Sequence, residues 1–161
     1  MSIDTKNIRY TPSQLVVINL ECDFTSVIEG GPGTGKTLLA LNRAEKIMNV
    51  ATDSMGQNPK LMLIVHNKLL QKYLEKKIKE IGLTGEYAFT ASSWLFRTYI
   101  KFKDLRHPPL RPPRYEDYDY NWEEIKKDIL DWHKQGKIAF DHIIIDEAQD
   151  LPIQLIEILD M

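Results

Sequence analysis

Gly30-Gly31-Pro32-Gly33-Thr34-Gly35-Lys36-Thr37 is the stretch from which the rest of the chain is read. It fits the spacing G-x-x-x-x-G-K-[ST], and its setting is the one that spacing requires. Before it, Phe24 to Glu29 alternates in polarity and stops at Gly30, which predicts a buried strand. After it, Lys36 to Val50 sets Leu38, Leu39, Leu41, Ala44, Ile47 and Met48 at helical spacing. Glycines let backbone N–H groups turn inward at a helix N-terminus, where the peptide dipoles also favour an anion. The stretch therefore predicts a triphosphate cradle, with Gly31, Gly33, Thr34 and Gly35 wrapping the phosphates. Lys36 is expected to reach the β and γ phosphates, and the Thr37 hydroxyl to ligate Mg²⁺.

Strand and helix patterns alternate outward from this loop. Thr11 and Pro12 open a short helix to Leu20. Residues 51–60 read as a loop, Leu61–Val65 as a central parallel strand, and Leu69–Ile81 as a lysine-rich amphipathic helix ending at Gly82. Tyr87–Ala91 reads as a strand, with Ser92 and Ser93 capping the helix that carries Trp94. Prolines 108, 109, 112 and 113 prohibit regular structure in an excursion over about 104–120. A helix over Asn121–Gln135 ends at Gly136, and Phe140–Ile145 reads as the strongest strand, running into Asp146-Glu147-Ala148-Gln149-Asp150. The expected fold class is α/β, a phosphate-loop NTPase with a parallel sheet and helices on both faces. Carboxylates at the C-terminal end of a strand in such a sheet lie where ligands bind. Asp146 is thus expected to hold Mg²⁺, and Glu147 to orient and deprotonate an attacking water.

Composition bounds this reading. Lys plus Arg is 21 against 23 for Asp plus Glu, so no overall positive excess advertises nucleic acid or a membrane surface. The balance hides segregation: residues 60–80 carry six lysines and two glutamates, whereas 115–131 carry seven acids and two lysines. A single cysteine, Cys22, allows no internal disulfide, and the four histidines lack metal-ligand spacing. With no apolar leader and no membrane-length apolar run, the expected location is soluble and cytoplasmic. At 161 residues one domain is expected over 1–161.

At this point the motifs resemble a known family, the ATPase lobe of superfamily 1 helicases of the UvrD/Rep kind. The loop at 31–37 is similar to that family's first motif, and Asp-Glu-Ala-Gln-Asp at 146–150 to its second. Gln14 is placed like the glutamine that reads the adenine edge. His66-Asn67-Lys68 is similar to a Thr-Asn-Lys segment that touches single-stranded nucleic acid, with His66 in place of the threonine, and Thr90-Ala91-Ser92-Ser93-Trp94 looks like the next strand-facing motif. The resemblance covers about residues 10–152 and implies a RecA-like motor domain that couples Mg-ATP binding and hydrolysis to single-stranded DNA or RNA. It also implies a second RecA-like lobe, supplied by further sequence or another chain. Such a lobe brings arginine fingers worth about 10³–10⁵ in rate, so this chain alone is expected to be a weak hydrolase.

The family's nucleic-acid roles fall on Asn67, Lys68 and Trp94; Gln149 joins Lys36 and Glu147 as catalytic, and γ-phosphate and Mg²⁺ are expected to order the loops at Asn67 and Gln149, coupling nucleotide state to strand grip. Against these stand plainer readings of the same residues. Trp94 at a helix start also suits a core position, and the lysines of 68–79 also suit a solvated face. Two other functions compete: a different phosphate-loop phosphotransferase, and a nucleotide-dependent binding module that works only when assembled. All three readings need the lysine of the loop. Lys36→Ala is expected to abolish ATP binding measured by titration calorimetry while leaving the circular dichroism spectrum unchanged; unaltered affinity would overturn the loop assignment.

Overall fold

The structure is a computed structural model that describes residues 9–21, 25–55, 59–66, 68–80, 88–110 and 120–161, the side chains of 50–55 and of Glu80 excepted. Its contacts divide the chain into two compact units, Met1–Asn58 and Pro59–Met161.

In the first unit, helix α1 spans Pro12–Asn19 and helix α2 spans Lys36–Met55. The start of α1 follows from its sequence. Thr11 is the N-cap, its hydroxyl accepting from the Gln14 N–H while the Gln14 side chain accepts from the Thr11 N–H, and Pro12 occupies a first-turn position where its missing N–H is harmless. Helix α2 runs five residues past its expected end at Val50, because Ala-Thr-Asp-Ser-Met offers no glycine or proline to stop a helix already propagating. Arg43 on α2 donates to the Ile18 and Glu21 carbonyls (3.1 and 2.6 Å), and Lys46 donates to the Asn19 side chain (2.9 Å), tying the end of α1 to α2. The strand expected over 24–29 does not form in its described part. Residues 25–29 are exposed, Val27 by 83%, and belong to no ladder. Alternating polarity marks a segment that suits one buried face, but a strand exists only where a neighbouring backbone takes its N–H and C=O groups.

The second unit is α/β. Strands β1 (Leu61–Val65), β2 (Ala88–Thr90) and β3 (His142–Ile145) form a parallel sheet in the order β2-β1-β3. Helix α3 (Lys68–Glu80) connects β1 to β2, and β2 passes directly into α4 (Ala91–Lys103). Helix α5 (Trp122–Lys134) precedes β3, and a 3₁₀ turn at Ala148–Asp150 leads to α6 (Ile153–Leu159). Central β1 is buried at all five positions, as its unbroken apolar run requires. The expected Phe140 start of β3 moves to His142. Asp141 instead clasps Lys60, its backbone N–H donating to the Lys60 carbonyl and its carboxylate accepting from the Lys60 N–H (2.9 and 2.7 Å). The cap of α4 also differs from expectation: Thr90 takes that role, its hydroxyl accepting from Ser93 N–H while Ser93 Oγ accepts from Thr90 N–H. Ala91 is therefore helical, and Tyr87 lies outside the described residues.

Ile125, Ile129 and Trp132 form one face of α5 and join Trp94, Leu95 and Tyr99 of α4 and Leu155 and Ile158 of α6 in the core. Trp132 meets Tyr99 edge to face at 5.1 Å between ring centroids. The proline excursion is pinned at its base, where Leu110 and Tyr120 pair antiparallel and Asn121 N–H donates to the Pro109 carbonyl (2.9 Å). Its residues 111–119 lie outside the described ones. Among the described residues no helix is long and apolar enough to cross a membrane.

Inside this packing the Tyr99 hydroxyl donates to Asp128 of α5 (2.8 Å), which also pairs with Lys103 at 2.6 Å. Burial, then the bond to Asp128, pushes the Tyr99 phenol far above its ordinary range. An unfolded tyrosine ionises near pH 10, whereas folded Tyr99 keeps its proton. The contribution of Tyr99 is therefore whole below about pH 10 and declines as pH rises past it. Tyr99→Phe is expected to cost about 1–2 kcal/mol at pH 8 and to flatten the alkaline decline between pH 9 and 11, read from urea midpoints.

Candidate functional site

The glycine-rich loop is built within the first unit. Gly33 and Gly35 adopt φ of +75° and +85°, the left-handed region where a side chain is strained, so two of the loop's glycines are there for their backbone. The Thr34 hydroxyl donates to the Gly31 carbonyl (2.8 Å), closing the loop on itself. Lys36, the first residue of α2, folds back: its ammonium donates to the Gly30 and Gly31 carbonyls at 2.9 and 3.3 Å. The first turn of α2 holds no acid, so nothing there opposes an incoming anion. Thr37 follows Lys36 in the same turn and is half-buried.

Gln14 lies against this loop. Its side-chain amide donates to the Thr34 carbonyl at 3.0 Å, and its amide oxygen accepts from Thr11 N–H at 2.8 Å. Both ends of the amide are thus engaged, and α1 is attached to the loop twenty residues away in sequence. A substituent on Gly35 would lie 3.4 Å from the Gln14 amide nitrogen. Sequence reasoning picked out Gln14 but not the Arg43 and Lys46 bonds that hold its helix; a lone arginine on a helix carries no signal of the carbonyls it will meet.

The acidic motif is built within the second unit, where β3 ends beside β1. Ile64 and Ile145 are register partners, and the Asp146 N–H extends the ladder to the Ile64 carbonyl (2.9 Å). This holds Asp146 at the sheet's C-terminal edge with only 4% of its surface exposed. Glu147 follows at φ +55° and is half-buried. Its carboxylate accepts from the Gln149 side-chain amide at 2.7 Å, and its carbonyl from the Asp150 N–H at 3.0 Å. The Asp150 carboxylate in turn lies 3.6 Å from His66 Nδ1, just past the end of β1. His66 is thereby linked to the acidic turn, a pairing that sequence order alone does not reveal.

The nucleic-acid expectations fare differently from one another. Lys68 is exposed at the first position of α3. Asn67 lies outside the described residues. Trp94 is 5% exposed and packed in the core with Ile129 and Ile158, so a base cannot reach its ring without uncovering that core. The plainer reading of that aromatic is the one its surroundings favour.

A family model described as Schlafen group 3, DNA/RNA helicase domain matches residues 24–154. The chain belongs to that family, and the match spans both compact units and both motifs. Comparison with the curated proteins and with the solved structures finds no match.

The loop geometry separates its glycines. Gly31 has open space where a side chain would stand, whereas Gly35 needs positive φ. Gly35→Ala is expected to destabilise the protein by about 1–2 kcal/mol and Gly31→Ala by less than about 0.5 kcal/mol, compared by chemical denaturation.

Proposed function

We propose that this chain, as a Schlafen group 3 helicase domain, binds and hydrolyses Mg-ATP and couples it to single-stranded nucleic acid in the manner of a superfamily 1 motor lobe. The observation that carries the reading is the loop of Gly30 to Thr37, which presents a lysine ammonium and a helix N-terminus at one place. The three-stranded parallel sheet, with acids following β3, is compatible with a RecA-like core.

In this reading Lys36 leaves the Gly30 and Gly31 carbonyls for the β and γ phosphates. The loop N–H groups of Gly33, Thr34 and Gly35 and the opening of α2 hold the remaining phosphate oxygens. Thr37 and Asp146 are the residues that would hold Mg²⁺, a hydroxyl and a carboxylate being the hard oxygen donors that ion takes beside phosphate. The cation, when bound, neutralises charge that develops on the transferred phosphoryl group. Glu147 orients a water and accepts its proton, and the Gln149 amide fixes which way that carboxylate points. Gln149 is also placed to report nucleotide state, since releasing Glu147 frees its amide. Gln14 reads the adenine edge by exchanging its bonds to Thr11 and Thr34 for bonds to the base. Asn67 and Lys68, after β1, meet the nucleic-acid strand, and a second RecA-like lobe completes the motor.

Titration calorimetry with ATP, with and without Mg²⁺ and a single-stranded oligonucleotide, tests this on wild type and Glu147→Gln. Expected are micromolar, Mg²⁺-dependent binding that tightens with oligonucleotide, equal affinity in the variant, and turnover in the variant lower by about 10²–10⁴. Absent ATP binding would overturn the proposal. Tight binding with no turnover by wild type would leave a nucleotide-dependent binding module in its place.

A further inference from the structure

Helix α3 carries Lys68, Lys72, Lys76 and Lys79, all exposed. At 3.6 residues per turn these positions fall within an arc of about 80° and extend over about 16 Å of helix. They make a line, not a patch. Among the described residues, no side-chain hydrogen bond or ion pair engages Lys68, Lys72 or Lys79, whereas Lys76 has a partner. Glu75 shares this face, three residues after Lys72 and four before Lys79, and its carboxylate accepts from the Gln71 amide at 2.9 Å. Gln71, Leu74 and Ile78 occupy the opposite, buried side, where Gln71 also donates to the Ala88 carbonyl of β2. At the head of the line Leu69 is 81% exposed beside exposed His66.

A solvated helix face is ordinarily laced with both signs of charge. Helix α5 in the same unit is built that way, with Glu123 four residues before Lys127 and Asp131 three before Lys134. Helix α3 has one such pair, Glu75 four residues before Lys79, but also repeats lysine at i and i+4 twice (Lys68 with Lys72, Lys72 with Lys76), which opposes helix formation by about 0.2–0.5 kcal/mol per pair. Its first turn contains no acid to offset Lys68. These two lysine pairs repel in the isolated protein, a repulsion that a linear polyanion alongside would relieve.

We infer that the α3 lysine line is a rail for the phosphate backbone of single-stranded nucleic acid, continuing the strand path from Lys68 along Lys72, Lys76 and Lys79. The inference rests on the nucleic-acid part of the proposed function and adds Lys72, Lys76 and Lys79, which lie outside the motifs at 31–37, 66–68, 90–94 and 146–150. A line about 16 Å long spans on the order of three to five phosphates. The narrow width suits one backbone, and exposed Leu69 offers an apolar surface to a base or sugar at the point where the strand arrives.

The test is fluorescence anisotropy of a labelled oligothymidylate of about 20 nucleotides, without ATP, over a salt series. Three proteins are compared: wild type, Lys72→Gln/Lys76→Gln/Lys79→Gln, and the charge-matched Lys127→Gln/Lys134→Gln/Lys137→Gln. Each neutralised phosphate contact contributes about 0.7 to the slope of log affinity against log salt for single strands. The α3 triple variant is expected to lose about 2 from that slope and at least about tenfold in affinity at low salt, and the control to keep both. The α3 variant is expected to keep the wild-type circular dichroism spectrum. Wild-type slope and affinity in the α3 variant, or equal losses in the control, would overturn the rail and leave the motor reading standing. A wild type that binds no oligonucleotide would overturn the nucleic-acid reading itself, and the rail with it. Binding of anionic phospholipid vesicles in place of oligonucleotide would replace the rail with a membrane-facing surface.

Discussion

Strand β1 is apolar at five consecutive positions and buried at all five, and a buried backbone must find partners for every N–H and C=O. That requirement fixes the second unit. Both edges of β1 have to be taken, and β2 and β3 take them, each parallel to β1 and in register with it. Parallel neighbours cannot be joined by tight hairpins, so α3 must cross back between β1 and β2, and longer helical sequence must intervene before β3. All three strands therefore end at the same edge of the sheet. The turn at His66, the Thr90 cap of α4 and the acidic turn at Asp146 are gathered there by the hydrogen-bonding needs of five apolar residues.

How much of this was legible depended on whether the deciding interaction is local. The start of α1 was readable because Thr11, Pro12 and Gln14 make their own cap within four residues. Strand β1 was readable to the residue, since a short apolar run leaves no alternative face. The α4 start was half legible: the serines were seen, yet Thr90 is the cap and Ser93 its reciprocal partner, a choice set by where β2 stops pairing. Residues 25–29 carry a strand's alternation without a strand's partner. Local polarity specifies what a segment tolerates; pairing is decided by the remainder of the chain.

The candidate site divides on the same line. Loop glycines and the Asp146-Glu147 pair are visible because the chemistry proposed for them calls for those residue types at fixed spacing. The bonds that hold them are not. Gln14 to Thr34 spans twenty residues, His66 to Asp150 more than eighty, and neither has a sequence pattern to betray it. Trp94 shows the converse, an aromatic in a motif-like setting whose ring belongs to the core. Family membership agrees with the coarse reading of a helicase domain, while individual residue roles stand on their own chemistry.

Glu147 sits at φ +55° and ψ +50°, a conformation that disfavours a residue bearing a Cβ by about 1–2 kcal/mol and that glycine adopts freely. Judged by folding alone, position 147 belongs to glycine. In the proposed function, holding a carboxylate there sets local stability against the chemistry assigned to it. Substitution by glycine would then harden the protein while removing the proposed base, so a screen for heat resistance would select against the group that a screen for turnover would retain.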